Sequence, residues 1–481
     1  MGKTIPDKIG YVAKRVRHPI LRWIVLAGVT IALAAAMVVG VHVLAAEQQW
    51  DVPAGSATVN PSVFQVASPA TSSPDSLPAP DPAPGCLAAA LGAVPRTGGG
   101  TLTGQVIGLQ SGDVLWDSGA SQPMIPASSE KLLTVMALIN TLGPDALATT
   151  YQTSVVADGA KIVLVGGGDP YLASDASTAT LGQRQTMADL AAATAQALQA
   201  DGRTSVSLGF DDTAFSGPDW HPTWDPKYAT AVTHVSALWV DAGMTPSPAT
   251  TPEARAVRSV TPAYDAATLF ATQLRAHGIQ VTGVDTTGAA APAGQPPLAS
   301  IDSLPLGAII SDTLLASDNS AAEVLFRHLA IATGRPGSFD AGAAAVNQWL
   351  NDTDLAEPGM QIVDGSGLSR QDMSTAAILA GTIAWADKQG GAPREIIAGL
   401  GVAAYSGTLG DRFNSPAATR GRGFIHAKTG SLDGVSSLTG YAVTDQGQQL
   451  AFSVIVNGVS DYNSMRAWLD QVAAAMVVSG C

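Results

Sequence analysis

The chain has 481 residues, 46% of them hydrophobic and 13% charged, with a net charge of −14. That length and apolar share suffice for a large core and favour more than one domain. Six basic residues (Lys3, Lys8, Lys14, Arg15, Arg17, Arg22) stand in the first 22, so the remainder is still more acidic, which excludes a general attraction to nucleic acid.

Residues 23–46, WIVLAGVTIALAAAMVVGVHVLAA, are long enough to cross a bilayer as a helix. The basic residues before them place residues 1–22 in the cytoplasm. An uncleaved membrane anchor is expected, with a cleaved signal peptide as the alternative; either exports the body. Residues 47–85, rich in Pro, Ser and Ala, read as a linker. The two cysteines, Cys86 and Cys481, stand at the borders of the folded body. In an oxidising compartment they are expected to pair, free thiols being the alternative. No histidine or cysteine pairing has zinc-site spacing, so no metal and no cofactor is expected.

Residues 101–117 read as two strands around Ser111-Gly112, and a second hairpin turns at Asp158-Gly159. Between them, IPASSEKLLTVMALI predicts a buried helix with Ser128 or Ser129 capping its first turn. GGGD at 166–169 lacks a phosphate-loop lysine and reads as a strand exit. Helices are predicted near 187–200, 265–277, 304–316, 320–333, 340–351 and 374–387, with SVSLGF and IQVTG as strands. The last hundred residues turn to strands, FIHAKTG, SSLTGYAVT and QLAFSVIVNG, before a final helix. Strands at both ends with helices between predict an α/β (α+β) fold, its sheet assembled from N- and C-terminal segments.

Lys131 opens an apolar helix, and Ser128 lies one turn before it on the same face. A serine hydroxyl needs a base to become a nucleophile, and a desolvated lysine can be that base. A lysine that merely snorkels into water is the plain alternative. Two further strings carry polar groups of the same kind: Ser317, Asp318 and Asn319 between two helical stretches, and Lys428, Thr429 and Gly430 on a strand. Taken singly, these read as a helix cap and an exposed strand end.

In that order the three strings resemble the active-site set of penicillin-binding proteins and serine β-lactamases. PASSEKLLT, LVGGGDPYL, SDNSAAE, DGSGLSR, SGTLGDRF and HAKTGSLDGVSSLTGY are similar to one branch, the D-alanyl-D-alanine carboxypeptidase/endopeptidase family of class C low-molecular-mass penicillin-binding proteins. The resemblance spans residues 126–441. It implies a transpeptidase-like domain, an antiparallel sheet flanked by helices, at 86–150 and 303–481, and a smaller α/β domain inserted at 151–302. Ser128 and Ser317 are 189 residues apart, which a single-domain β-lactamase does not need, and there is no Glu-x-x-Leu-Asn string to place a deacylating water. A third domain is expected to be reduced or absent.

The resemblance implies a serine peptidase that trims D-alanine from peptidoglycan stem peptides, with or without cutting crosslinks, and that β-lactam antibiotics inhibit. Ser128 is then the nucleophile and Lys131 its base, with the lysine pKa lowered by burial and further by Lys428. Ser317 relays the proton, and Asn319 holds Lys131 and substrate. Asp318, Lys428, Thr429, Gly430 and Ser431 bind substrate, with the N–H groups of Ser128 and Ser431 as oxyanion donors. Arg370 is expected at the free end of the peptide side chain. His426 reads as a packed strand residue, and Trp220, Trp224 and Tyr228 as either substrate-facing or core. A β-lactamase and a non-catalytic wall-binding scaffold are the competing readings. Oligomeric state is left open.

Overall fold

The computed structural model describes residues 80–179, 181, 184–244 and 257–477. The expected cytoplasmic tail, the membrane anchor, nearly all of the linker, and Cys481 lie outside the described residues. Within them no helix is long and apolar enough to cross a membrane. Cys86 sits in the first helix, and no described cysteine is free.

The N-terminal part supplies α1 (Pro84–Gly92), β1 (Thr101–Gly108), β2 (Val114–Ser118) and α2 (Lys131–Leu142). Next come β3 (Gln152–Asp158), β4 (Lys161–Val165), α3 (Met187–Ala200), β5 (Ser205–Asp211), α4 (Pro262–Ala276), β6 (Gln280–Val284) and β7 (Pro297–Asp302). Helices α5 (Leu306–Ala316), α6 (Asn319–Ala332), α7 (Phe339–Asp352), α8 (Ala376–Gln389) and α9 (Gly391–Ala398) follow. The chain then gives β8 (Ile425–Leu432), β9 (Val435–Val443), β10 (Gln449–Asn457) and α10 (Tyr462–Val477).

The first sheet has the order β2-β1-β10-β9-β8, and every described pairing in it is antiparallel. It joins the chain's two ends as the sequence pattern implies, with Thr101 opposite Asn457 and Gly108 opposite Leu450. Both of its faces are covered, which explains why the buried stretch of β10, Leu450 to Val456, is apolar except for Ser453. Phe452, Val454 and Val456 face a core shared with Leu87, Trp468 and Leu469 of α1 and α10. Ala451 and Ile455 face the other core, with Leu379 and Ile383 of α8 and the apolar residues of α2. Strand β8 is an edge strand. Residues Gly401 and Ala403 pair with Ala427 and Ile425, each at 2.9 Å, and so cover the first half of that edge.

The second sheet, order β6-β5-β4-β3-β7, pairs β4, β5 and β6 in parallel and carries α3 and α4 over a separate core. A capping box between Thr186 and Asp189 starts α3. The insertion enters and leaves at one place, because Gln152 of β3 lies opposite Asp302 of β7 and Ser303 N–H donates to the Tyr151 carbonyl. Adjacent ends let a domain enter a loop without disturbing its host.

Two expectations need correction. Phe215, Trp224, Val232, Val235 and Trp239, assigned to the insertion by position, pack in the core that α2, α6, α7 and α8 share, beside Phe339 and Leu325. The aromatics of this loop need a large apolar surface, and the body offers one. Neither Ser128 nor Ser129 caps α2. The chain enters it through a 3₁₀ turn, Ala127–Glu130, and both hydroxyls are engaged elsewhere.

Candidate active site

The turn before α2 holds Ser128 against two neighbours at very short range. Ala127 has φ 49°, a left-handed conformation that costs a non-glycine residue free energy unless its surroundings enforce it. On one side, a side-chain carbon at Gly430 of β8 would lie 2.6 Å from the Pro126 carbonyl oxygen. On the other, one at Gly367, itself at φ 77°, would lie 2.0 Å from the Ala127 carbonyl oxygen. Only glycine permits this approach at either place. Ser437 of β9 pins the turn further, its hydroxyl 2.8 Å from both Ser129 Oγ and the Pro126 carbonyl. Gly430 thus serves as the spacer that brings β8 to the serine.

Lys131 is fully buried, and its amine meets three oxygens: Ser128 Oγ at 2.9 Å, Asn319 Oδ1 at 2.7 Å and the Ser366 carbonyl at 2.8 Å. The Asn319 amide is oriented by its own donation to the Ala231 carbonyl at 3.1 Å. Carbonyl oxygens only accept. A neutral amine therefore spends its two N–H groups on Asn319 and Ser366 and turns its lone pair to the Ser128 hydroxyl. That is the arrangement a general base requires. Burial lowers the lysine to about 8, against the opposing pull of Glu323, Asp364, Asp318 and Glu130.

Lys428 is also buried and donates to Ser317 Oγ at 2.7 Å and to the Thr429 carbonyl at 2.8 Å. Burial, and then the Lys131 charge, push its pKa well below the usual lysine range. Two ammonium groups repel one another, so the buried lysines resist carrying charge together, while the carboxylates around Lys131 hold its pKa up. Ser317 ends α5 at φ 57°, which turns its hydroxyl toward Lys428. The Asp318 carboxylate accepts the Ala321 N–H at 3.1 Å as the cap of α6.

Ser128 and Asn319 open on a cavity of about 570 Å³ lined also by Ser431, Tyr228, Asp433 and Tyr462. Ser431 Oγ lies 2.9 Å from the Tyr462 hydroxyl. Arg370 lies at the rim, exposed, donating to the Asp433 carbonyl at 2.8 Å. Lys227 holds the Asp433 carboxylate from the facing loop. His426 stacks on Tyr441, a packed strand residue as expected. Trp224 is buried and donates its indole N–H to Asp364 at 2.7 Å, whereas Tyr228 faces the cavity.

Three participants escaped the sequence reading. Thr408 in SGTLGDRF lies 2.8 Å from the Thr429 hydroxyl, and the Ser366 carbonyl and Glu323 hold the base from below. Each lies within a string that carries the resemblance, but nothing in those strings singles out the residue.

The model of the D-Ala-D-Ala carboxypeptidase 3 (S13) family matches residues 87–255 and 246–476. The carboxypeptidase Rv3627c of Mycobacterium tuberculosis is 36% identical over 398 residues, covering 79% of this chain and 81% of its own length. The carboxypeptidase DacB of Mycolicibacterium smegmatis is 34% identical over 460 residues, covering 94% and 95%. The crystal structure of penicillin-binding protein 4 (dacB) from Haemophilus influenzae superposes with a TM-score of 0.65 at 22% identity, covering 81% of this chain and 97% of that one, and so shares the fold. With the family model running across nearly the whole described body and relatives of this identity along it, the chain belongs to the D-Ala-D-Ala carboxypeptidase 3 (S13) family.

Proposed function

We propose that this serine D-Ala-D-Ala carboxypeptidase works through an acyl-enzyme on Ser128, with Lys131 as the base. The observation that carries the reading is the set of partners around the Lys131 amine, two of them acceptors only. Ser128 Oγ attacks the carbonyl of the penultimate D-alanine and passes its proton to Lys131. Ser317 relays a proton: its O–H protonates the departing D-alanine nitrogen as the C–N bond breaks and is refilled from the Lys428 ammonium that donates to its oxygen, so the proton gained by Lys131 balances the one lost by Lys428. Lys428 and Thr429 take the terminal carboxylate, and the N–H groups of Ser128 and Ser431 face the developing oxyanion, where fixed donors act most strongly. Water then releases the shortened peptide.

A β-lactam presents a similar carbonyl and carboxylate, so it should acylate the same serine. Intact-mass spectrometry after penicillin treatment should show one adduct, mapping to the peptide with Ser128 and absent from Ser128→Ala. An adduct on another residue would overturn the assignment.

Arg370, exposed beside Asp433, is in this reading the group that meets the part of the substrate remote from the cut. Its planar fork can hold a carboxylate in two parallel hydrogen bonds, and binding there can be used at the reacting bond. Arg370→Ala is expected to lower kcat/KM for a diaminopimelate-type stem peptide by roughly 10- to 100-fold, about 1.4 to 2.8 kcal/mol. Penicillin, which lacks that side chain, should acylate the variant at nearly the wild-type rate. Equal losses for both would assign Arg370 to the fold.

The catalytic body is exported and held at the membrane by residues 23–46, a reading supported by the apolar run and the basic residues before it. Retention in carbonate-washed membranes is expected, and a mature chain starting after this segment would replace the anchor by a cleaved signal. Cys86 pairs with Cys481 in this reading, closing a loop worth on the order of 5 kcal/mol in the chain-entropy model. Non-reducing peptide mapping should recover that pair, and two alkylatable thiols in the exported protein would refute it.

A further inference from the structure

Beneath Lys131 lie four carboxyl groups that the reaction above does not use: Glu130, Glu323, Asp364 and Asp372, all fully buried. They are not equivalent. Asp364 is met by the Trp224 indole N–H and by the N–H groups of Ser366, Gly367 and Ser369 at 2.6 to 3.1 Å. Asp372 accepts the Val363 N–H at 2.7 Å, and neither oxygen of Glu130 has a partner among the described residues. Burial pushes both Glu130 and Asp372 well above the usual carboxyl range.

Glu323 is directed differently. It lies one turn after Asn319 on the same face of α6. Its Oε1 accepts the Ser366 N–H at 2.8 Å, and its two oxygens lie 3.2 and 3.1 Å from the Gly365 nitrogen. Thr134 of α2 holds the Gly365 carbonyl at 2.9 Å. The Ser366 carbonyl, in the next peptide unit, whose Gly367 N–H donates to Asp364 at 2.6 Å, is the acceptor that Lys131 meets at 2.8 Å. One helical face thus supports the base twice: Asn319 directly, Glu323 through the Ser366 backbone.

We propose that Glu323 is a positioning residue for acylation: by holding the N–H groups of Gly365 and Ser366 it anchors the Ser366 backbone from its N-terminal side, and the Ser366 carbonyl in the following peptide unit steers the Lys131 amine toward Ser128. This rests on the reading of Lys131 as the base. The clamp is electrostatic as well as geometric. The charged groups facing Lys131 are Glu130 from its own turn, Asp318 and Glu323 from α6, Asp364 from the loop beneath and Lys428 from β8. Among the carboxylates Glu323 opposes the effect of burial most, and burial brings Glu323 itself up to about 8. Removing the negative charge withdraws support for the protonated amine, so the amine becomes neutral at lower pH.

The test is the rate of acylation by a fluorescent penicillin between pH 5.5 and 9 for wild type, Glu323→Gln and Glu323→Ala. The glutamine oxygen can still accept the Ser366 N–H, so that variant should keep most of its maximal rate. Its acidic limb should move down by roughly half a unit to one unit. The alanine variant loses the clamp and should acylate roughly 10- to 100-fold more slowly at every pH. A merely structural role would lower melting temperature without moving the limb. A folded glutamine variant with the wild-type limb, or a folded alanine variant with the wild-type rate, overturns the proposal. Should the alanine variant not fold, the glutamine profile alone decides. A wild-type protein that penicillin does not label overturns the reading of the base, and this inference with it.

Discussion

Replacement of Lys131 by alanine is expected to lower penicillin acylation by about three orders of magnitude, or roughly 4 kcal/mol in the barrier. In the native site the amine is the one base within reach of the Ser128 hydroxyl among the described contacts, at 2.9 Å. The variant leaves the hydroxyl with its proton and leaves Asn319 Oδ1 and the Ser366 carbonyl without their shared donor. Methionine at this position fills the vacated volume, so Lys131→Met separates loss of the base from loss of packing, and it should be as inactive as alanine. The wild-type rate itself should rise with pH and reach half its maximum near 8, because burial holds the amine at about that value and only the neutral form accepts a proton. Time courses of label incorporation across pH, with circular dichroism to certify folding, check both statements. A folded Lys131→Met that acylates within ten-fold of wild type would mean another group takes the proton.

The parts of this site legible in the sequence are those whose residue type is itself unusual for its place. A lysine at the head of an apolar helix costs desolvation, and that cost points to a polar partner one turn away, Ser128. The β10 run reports a strand covered on both faces in the same way. What the sequence hides is the partner across the fold. Glu323 looks like any helix-forming residue, and its importance comes from two N–H groups 42 and 43 residues away. The sense of the electrostatics around Lys131 is likewise hidden. A neighbouring cation is visible in the motifs, but the carboxylates gathered beneath the amine come from three separate segments. The aromatic loop after β5 misleads for a related reason. Its position in the chain lies inside the insertion, while its Trp224 and Trp239 side chains find their apolar surroundings in the body.

Lys428 offers the second large effect. Its ammonium has three N–H groups, and two are directed inside the protein, to Ser317 Oγ and the Thr429 carbonyl. In the proposed mechanism the third meets the terminal carboxylate of the substrate. Lys428→Ala therefore removes a charge-assisted hydrogen bond to substrate and also frees Ser317 from the donor that orients it. The expected loss in kcat/KM for a peptide ending in D-Ala-D-Ala is roughly 100- to 1,000-fold, about 2.7 to 4 kcal/mol. The two contributions separate in a double comparison with the same peptide amidated at its C-terminus. That substrate lacks the negative charge, so wild type should turn it over poorly, and Lys428→Ala should cost it only the part that runs through Ser317. A coupling of about 1.5 kcal/mol or more between the substitution and the amidation is expected for a close charge pair. If the variant loses as much on the amide as on the acid, Lys428 acts through Ser317 alone, and the terminal carboxylate must be held elsewhere, with the paired hydroxyls of Thr429 and Thr408, 2.8 Å apart, the next groups to change.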